Sequence, residues 1–419
     1  MVRTFWIILV FLSLVLVGCG RNGNGNGNGN GNGNGNNNRN GNNNNNEFEE
    51  LERLAQLSME VIPRAPTNRY ADELAAARFG QRLFYTNTMS STGGVSCATC
   101  HDPEHGFSEP RSLAQGVNGR VGSRHSPTLW NVAFSDFLFW DGRSDSLWSQ
   151  ALQAIEGFAE MDFSRLEVAH LIADHHDREY ESVFGPLPNV SGLPRKGKPG
   201  DTSWNGLTNQ QKDNVQRVFA NVGKALEAYQ RQLICSNTRF DRYIRGEINL
   251  TRDEEQGASN FLDSGCDRCH SGPTLSDQRF HNIGIDHDGT PDRGRVNGVT
   301  ALVNDIFNGT GVYSDDVGAG FSRLNPISSE VNQLGSFKTP TLRGVGQRSH
   351  FGHLGNLVTL REMIDHYDRG GRNNRDFVGE LDPLLNNLNV QGENDIEAFL
   401  RTLDCPPVPE SLIGVPPPF

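Results

Sequence analysis

The sequence predicts a mainly α-helical protein of two domains with long irregular loops. Apolar residues recur at helical spacing in several segments, most regularly between Asn214 and Leu233. At 419 residues, the chain is longer than the roughly 250 to 300 residues at which one hydrophobic core usually stops growing. A five-residue motif of cysteine and histidine also occurs twice, far apart in the chain, so each domain would contain one copy.

Both copies of the motif have two cysteines separated by two residues and followed directly by histidine, as in Cys97-Ala98-Thr99-Cys100-His101 and Cys266-Asp267-Arg268-Cys269-His270. The two thiols can form thioethers with the vinyl groups of a haem, while the histidine ligates the iron. We therefore predict two covalently bound haem c groups, with His101 and His270 as iron ligands, and two cytochrome c-like domains. A single zinc site made from the four thiolates is the alternative, but it leaves both histidines unexplained.

The N-terminus has the pattern of a bacterial lipoprotein signal peptide over residues 1–19. Arg3 precedes an apolar run from Phe5 to Val17, and the run leads into Leu16-Val17-Gly18-Cys19, which matches a lipobox. The run is short for a transmembrane helix, which needs about 20 apolar residues, so an uncleaved anchor is the weaker alternative. We predict that Cys19 carries a lipid and that the protein lies in the periplasm, anchored to the outer membrane.

The rest of the chain divides into a linker, two haem domains and a tail. Residues 20–46 are almost entirely glycine and asparagine, which have nothing apolar to bury, and we predict a disordered, flexible linker. We place the N-terminal haem domain at residues 47–239, the C-terminal haem domain at residues 240–404 and the tail at residues 405–419.

Charge and cysteine content limit the partners and the compartment. The formal net charge of −12 argues against a nucleic-acid partner and favours encounter with a basic protein. Four of the 7 cysteines belong to the haem motifs and Cys19 to the lipid, which leaves Cys235 and Cys405 as candidates for a disulfide in an oxidising compartment.

Helical periodicity and turn signals locate the main secondary structure. The predicted helices are Ala71–Tyr85, Ser146–Ile155, Asn214–Leu233, Asp253–Asp263, Thr359–Tyr367 and Glu393–Leu403. Residues Asp286 to Gly320 are rich in glycine, aspartate and asparagine and are predicted to be a surface excursion.

The segment Leu138-Phe-Trp-Asp-Gly-Arg143, followed by Gln150 and then Glu160-Met161, resembles the bacterial di-haem cytochrome c peroxidases and the related MauG enzymes. The similarity covers residues 73–403 and includes Lys338-Thr-Pro-Thr-Leu-Arg-Gly344. The resemblance implies a peroxidatic haem in the N-terminal domain and an electron-transfer haem in the C-terminal domain.

Three residues receive catalytic roles from this resemblance. Trp140 would lie between the haems, while Gln150 and Glu160 would line the peroxide pocket. The chemistry needs such groups, because cleavage of a peroxide requires a residue that takes a proton from one oxygen and returns it to the other. Glu160 can move that proton and Gln150 can orient the peroxide, whereas a core tryptophan and a solvated helix face are the structural alternatives.

The axial ligand of the second haem departs from the peroxidase pattern. The family's peroxidases have a methionine fourteen residues after a histidine that corresponds to His353, and this count arrives at Tyr367, as in MauG. Met363, one helical turn earlier, is the competing ligand. Tyrosinate favours ferric iron, whereas a thioether raises the reduction potential.

The resemblance also predicts that the first haem is open at rest. Peroxidases that need reductive activation carry a histidine about sixteen residues after the first motif, and that position here is Val117. His105 is too near His101 to cross the haem ring, and His125 is the remaining alternative ligand.

Calcium is a candidate cofactor by the same resemblance. The positions that match the family's interdomain calcium site are His125, Arg348 and His350. Calcium prefers oxygen donors, and an asparagine of the family is lost here, so backbone carbonyls would have to bind the ion.

The predicted function is therefore a di-haem c-type peroxidase. It would reduce hydrogen peroxide with electrons from a small redox protein, either a cytochrome c or a cupredoxin. The alternatives are a MauG-like enzyme that oxidises a protein or small substrate through a high-valent two-haem state, and an electron carrier without catalysis.

The repeated motif predicts that the protein exported to the periplasm carries two covalent haems. Mass spectrometry should find two haem additions. Replacing Cys97 and Cys100 with alanine should remove one addition, and replacing Cys266 and Cys269 should remove the other. Bound zinc in the absence of haem would contradict the prediction.

Overall fold

The computed structural model describes residues 53–54, 57, 61–285, 291–327, 331–371 and 378–417. The predicted signal peptide, Cys19 and the linker at 20–46 lie outside the described residues. Residues 48–419 group into one unit by their contacts. Within the described ranges, none of the helices is long and apolar enough to cross a membrane.

The described residues are mainly helical, which confirms the predicted fold class. The α-helices are α1 Leu74–Tyr85, α2 Cys97–Cys100, α3 Leu147–Glu156, α4 Arg165–His175, α5 Asp177–Phe184, α6 Thr202–Asn205, α7 Asn209–Gln230, α8 Arg239–Ile244, α9 Arg252–Asp263, α10 Arg295–Asn304, α11 Val317–Leu324, α12 Leu360–Asp368 and α13 Glu393–Arg401. The strands β1 Phe280–His281 and β2 Phe337–Lys338 pair antiparallel, with Phe280 opposite Lys338. Short 3-10 turns and irregular loops connect these elements.

All six predicted helices are present, with ends that differ by a few residues. The predicted helix from Asn214 corresponds to α7, which begins at Asn209 because Thr208 and Gln211 form a reciprocal capping box. Among the described residues, the sequence analysis does not predict the other seven α-helices, which are α2, α4, α5, α6, α8, α10 and α11. Helix α4 has buried residues on several sides, from Arg165 to Ile172, so it lacks the single apolar stripe on which periodicity depends.

The first hydrophobic core lies around α1, α3, α4 and α7 and contains the fully buried Trp148, Phe84 and Tyr229. Two glycines allow its helices to approach closely. A Cβ at Gly80 on α1 would collide with the carbonyl oxygen of Ala225 on α7, and one at Gly223 on α7 would collide with the carbonyl oxygen of Trp148 on α3. The core therefore depends on direct contact between backbones.

The second hydrophobic core lies around α9, α12 and α13. Phe240, Phe261 and Phe399 are each at most 2% exposed, and their rings pack edge-on or tilted at centroid distances of 5.3 and 5.5 Å. A Cβ at Gly257 would collide with the carbonyl oxygen of Asp395, so α9 and α13 also pack backbone against backbone. The predicted domain boundary between residues 239 and 240 stays a prediction.

The segment predicted as a surface excursion is partly buried, which corrects that expectation. It contains α10, whose Val299 and Leu302 are buried. Phe307 and Tyr313 pack into the first core, where Phe307 contacts Trp148 edge-on at a centroid distance of 6.2 Å. The polar composition of the segment gives no sign of this burial, because only a few of its large side chains pack into the core.

The C-terminal segment packs on the first core. Cys235 and Cys405 form a disulfide across 170 residues. Beyond it, the backbone carbonyl oxygen of Leu412 accepts hydrogen bonds from the hydroxyls of Tyr85 (3.1 Å) and Tyr229 (2.8 Å). Residues 405–417 therefore form a strap across α1 and α7.

A buried ion pair joins distant parts of the chain near the second core. The Arg343 guanidinium is 0% exposed and donates to both carboxylate oxygens of Asp241, at 2.9 and 3.0 Å. It also donates to the carbonyl oxygens of Leu57 and Pro273, at 2.8 and 2.6 Å. Asp241 in turn belongs to the capping box of α8 with Thr238.

Replacing Arg343 with methionine should strongly destabilise the protein, by about 3 to 5 kcal/mol, because Asp241 would remain buried without its counter-charge. Urea unfolding followed by circular dichroism measures the loss. Adding Asp241→Asn should recover part of it. Arg401→Met, which removes the exposed pair with Glu397, is the control and should have a much smaller effect. An equal loss in both single variants would contradict the argument.

Candidate active site

The first haem motif lines a cavity. Its empty volume is about 1610 Å³, which includes the solvent-filled space at its opening. Cys97 and Cys100 lie on α2, whose start is fixed by a capping box between Ser96 and Thr99. The Nδ1 atom of His101 is 3.2 Å from the carbonyl oxygen of Phe107. This contact orients the ring and leaves Nε2 for a metal.

The second motif lines a separate cavity of about 1480 Å³, counted in the same way. Here the Nδ1 atom of His270 is 3.0 Å from the carbonyl oxygen of Leu275. Phe107 and Leu275 both adopt positive φ angles, of 54° and 49°, which side chains rarely allow. The same unfavourable backbone turn thus orients the histidine at each site, a feature that the sequence pattern does not reveal.

The residues of both cavities fit haem c. Each cavity combines two free thiols, an oriented histidine and a mainly apolar lining. Each also contains a buried N–H group without an acceptor among the described residues: Nε1 of Trp130 in the first and Nε of Arg348 in the second. The two carboxylate groups of a haem can accept hydrogen bonds from such donors.

The zinc alternative does not fit the geometry. The two cysteine pairs line different cavities. Across the described ranges, the one cluster of potential metal-binding side chains is Cys269, Asp277 and His281, which includes just one of the four thiols. A site made from all four thiolates is therefore excluded.

Trp140 belongs to a set of residues between the two cavities, which we call the shared wall, and its place between two haems stays a prediction. The members of the shared wall line both cavities: His125, Pro127, Thr128, Trp140, Lys338 and Pro340. The indole Nε1 of Trp140 donates to the carbonyl oxygen of His125 at 2.7 Å, and the Trp140 carbonyl accepts from the backbone N–H of Lys338 at 2.8 Å.

Lys338 and Arg348 are candidates for binding an anion, a role that the sequence analysis does not assign to either residue. Burial lowers the pKa of Lys338 to about 8, opposed by Asp136, and lowers that of Arg348 to about 10. Both cations line the second cavity. Their charge matches an anionic ligand there, but the sequence signal is only a lysine and an arginine in segments that resemble the family.

Gln150 and Glu160 line the first cavity together with His101. Gln150 lies on α3, and Glu160 follows the turn that ends this helix. Burial raises the pKa of Glu160, and the charge of Arg143 acts in the opposite direction. A raised pKa makes the carboxylate a stronger proton acceptor, which suits a group that takes up and returns a proton.

The loop that follows the first motif packs against Glu160 through its backbone. A Cβ at Gly116 would collide with the carbonyl oxygen of Glu160, and the N–H of Val117 donates to that oxygen at 2.9 Å. The Val117 side chain is fully buried in the first core. Position 117 therefore offers the first haem no ligand.

Neither histidine near the first motif is poised to bind iron. His105 contacts the Asp102 carboxylate through Nδ1 at 2.9 Å. His125 uses both ring nitrogens, with Nε2 at 3.1 Å from the Ser108 hydroxyl and Nδ1 at 3.0 Å from the Ser112 carbonyl oxygen. Burial lowers the pKa of His125 to about 4.

Met363 and Tyr367 both line the second cavity from α12. Burial raises the pKa of the Tyr367 hydroxyl, with smaller contributions from Cys269 and Cys266. His366 lies on the other side of the helix, where its Nε2 is 2.7 Å from the carbonyl oxygen of Ile283. The predicted ligand and its competitor thus face the same cavity, and Tyr367 stays a prediction.

The positions matched to calcium do not provide a suitable donor set. Arg348 is a buried cation whose Nη2 donates to the Thr341 carbonyl oxygen at 3.0 Å. The rings of His125 and His350 lie with their centroids 6.0 Å apart. Calcium prefers oxygen donors, which the side chains at these three positions do not supply, so calcium stays a prediction that depends on backbone carbonyls.

Comparison with known proteins identifies the family. The model of the di-haem cytochrome c peroxidase family matches residues 74–249. The cytochrome-c peroxidase IdrP2 of Denitromonas iodatirespirans is 30% identical over 334 residues, which are 78% of this chain and 81% of that protein. This chain belongs to the di-haem cytochrome c peroxidase family.

Other relatives of this di-haem peroxidase include MauG enzymes. The methylamine utilization protein MauG of Methylorubrum extorquens is 29% identical over 360 residues, or 85% of each chain. The solved structure of a MauG-like protein associated with microbial copper homeostasis has a TM-score of 0.61 at 23% identity, and covers 85% of this chain and 97% of that one.

The predicted function and enzyme class are confirmed at the level of the family. The protein is a di-haem c-type peroxidase, an oxidoreductase with haem c as its cofactor. The family implies hydrogen peroxide as the substrate and a cytochrome as the electron donor.

Replacing Tyr367 with phenylalanine should change the absorption and EPR spectra of the second haem, because the phenol oxygen is lost while the ring is kept. Met363→Leu should leave those spectra unchanged. Tyr313→Phe is the control, since its hydroxyl contacts Asp213 and Gln216 instead. A spectral change in Met363→Leu alone would make methionine the ligand.

Proposed function

We propose that the protein reduces hydrogen peroxide in the first cavity, with Glu160 as the proton shuttle and Gln150 as the group that orients the peroxide. The observation that carries this proposal is that both side chains line the cavity of His101 and the first cysteine pair. The reaction consumes two electrons and two protons for each peroxide and releases two molecules of water. When bound, haem c supplies an iron that coordinates peroxide and exchanges electrons.

Glu160 acts through its carboxylate oxygens. In the ionised form it accepts the proton from the peroxide oxygen nearer the first haem site, and it then donates this proton to the departing oxygen, which leaves as water. Burial supports this role because the raised pKa brings the two protonation states closer in free energy at neutral pH. Gln150 can donate or accept a hydrogen bond without changing charge.

Trp140 supports electron transfer between the two haem sites. Its ring lies in the shared wall and is held at both its indole nitrogen and its carbonyl oxygen, so its position relative to both cavities is fixed. The second site would receive electrons from a cytochrome c or a cupredoxin and pass them to the first.

Tyr367 favours a second candidate function. An anionic oxygen ligand at the second site would stabilise oxidised iron. Such a site suits the oxidation of a protein or small substrate at a distance from the peroxide. The tyrosine in the lining of the second cavity is the observation that supports this alternative.

We also propose that the mature protein is a periplasmic lipoprotein, anchored through Cys19 to the outer membrane. The support is the lipobox at residues 16–19 and the linker at 20–46, which would separate the haem domains from the lipid surface. Metabolic labelling with palmitate should mark the protein, and Cys19→Ala should abolish the label. Equal labelling of both proteins would contradict the proposal.

Glu160→Gln should bind both haems but react with peroxide at least about 100-fold more slowly, because the glutamine side chain cannot accept the proton. In the unaltered protein, the rate should be high above the raised pKa of Glu160 and should fall as the pH decreases through it. Stopped-flow absorption with peroxide measures both effects. Glu104→Gln, at an exposed position, is the control. A near-normal rate in Glu160→Gln would remove Glu160 from the mechanism.

A further inference from the structure

We propose that Arg143 is a positioning residue for the peroxide reaction, which holds the Glu160 carboxylate ionised and fixes it relative to the segment that carries Trp140. This inference rests on the proposed function of Glu160. It adds a residue and a pH control that the family resemblance does not assign.

The Arg143 side chain is fixed from several directions. Its segment forms a tight loop in which the Leu138 N–H donates to the Ser144 carbonyl oxygen at 2.8 Å. The guanidinium lies 3.4 Å from the centroid of the Phe139 ring and donates to the Asp141 carboxylate at 3.2 Å. A cation held by a ring face and a carboxylate has few other positions available.

A pair of reciprocal hydrogen bonds connects Arg143 to α3. Its Nε donates to the side-chain oxygen of Gln153 at 3.2 Å, and the Gln153 amide donates back to the Arg143 carbonyl oxygen at 3.4 Å. A Cβ placed on Gly157, one turn later, would lie 3.0 Å from Oε2 of Glu160 and 3.1 Å from the Gln153 carbonyl oxygen. The Glu160 carboxylate therefore folds back onto the end of α3 that Gln153 occupies.

This location makes a nearby cation necessary. The C-terminal end of a helix carries partial negative charge from carbonyl groups without partners, so it disfavours an ionised carboxylate. Burial disfavours the ionised form as well. Arg143 also lines the first cavity, and its charge opposes both effects.

The other charged groups near Glu160 are held by other partners or become neutral. On its own turn, Asp162 is bound by Arg120 at 2.9 Å. Behind Gln153, Asp305 accepts from the Gln153 amide at 3.1 Å. The remaining groups are the Glu156–Arg165 pair at 2.7 Å, the Arg124–Asp141 pair at 2.6 Å, and the thiols of Cys97 and Cys100, which become neutral thioethers when haem is attached.

The packed loop on the opposite side presents its one nearby charge, Arg120, to Asp162 and to the Phe158 carbonyl oxygen. Gly116 and Val117 meet Glu160 through backbone atoms alone. Removing the charge of Arg143 should therefore raise the pH at which Glu160 ionises.

The experiment compares the pH dependence of peroxide reaction in the unaltered di-haem protein, Arg143→Gln and Arg143→Lys between pH 5 and 10, by stopped-flow absorption. We expect Arg143→Gln to shift the midpoint upward by about 1 unit or more, to react about 10-fold or more slowly below the original midpoint, and to recover at high pH. Arg143→Lys keeps the charge and should keep most of the original midpoint. Infrared difference spectra, with the carboxyl band assigned through Glu160→Gln, give the ionisation of Glu160 independently of activity.

Two failures can be distinguished. If Glu160→Gln reacts normally, the proposed function is wrong and this inference falls with it. If Glu160→Gln is inactive but Arg143→Gln keeps the original midpoint and infrared titration, only the role of Arg143 is wrong. Should Arg143→Gln fail to fold, Gln153→Leu decides, because losing the connection to α3 should also raise the midpoint, and an unchanged midpoint would overturn the inference.

Discussion

The hydrogen bond from the Trp140 indole to the His125 carbonyl oxygen is the interaction on which the two-site arrangement depends. It holds one side chain in contact with both cavities, and the backbone bond between Trp140 and Lys338 holds the same residue from the other side. Arg295 supports the turn that follows, because its guanidinium donates to the Gly142 carbonyl oxygen at 2.8 Å while it stacks on Phe280. The shared wall is therefore a rigid part of the fold, and both cavities lie against it.

The two haem sites orient their histidines in the same way. A histidine next to two cysteines must point its free nitrogen into a cavity, and a carbonyl group from a strained residue, Phe107 or Leu275, holds the other nitrogen. Positive φ angles at such side chains cost free energy of order 1 to 3 kcal/mol each, which the surrounding packing must offset. Orientation of the histidine is thus set by the backbone of the chain itself at both sites.

Local signals in the sequence predict much of this structure. The six helices, the haem motifs and the grouping of Gln150 with Glu160 follow from periodicity, spacing and family resemblance, which are properties of short segments. The burial of Phe307 and Tyr313 does not follow, because it depends on where a polar segment returns to the first core. The sequence alone also does not place Arg143 and Lys338 beside the cavities. A cation that lines a cavity and a cation on the surface look the same in a short segment.

The strap at residues 405–417 has a consequence for biosynthesis. Beyond its hydrogen bonds to the tyrosines, its carbonyl groups accept from Gln81 and Arg82 on α1, at 2.9 and 2.8 Å. Helix α1 therefore obtains part of its native contacts from residues that leave the ribosome more than 300 residues later. The first domain, which carries Cys97 and Cys100, can complete its packing only when the end of the chain has been synthesised.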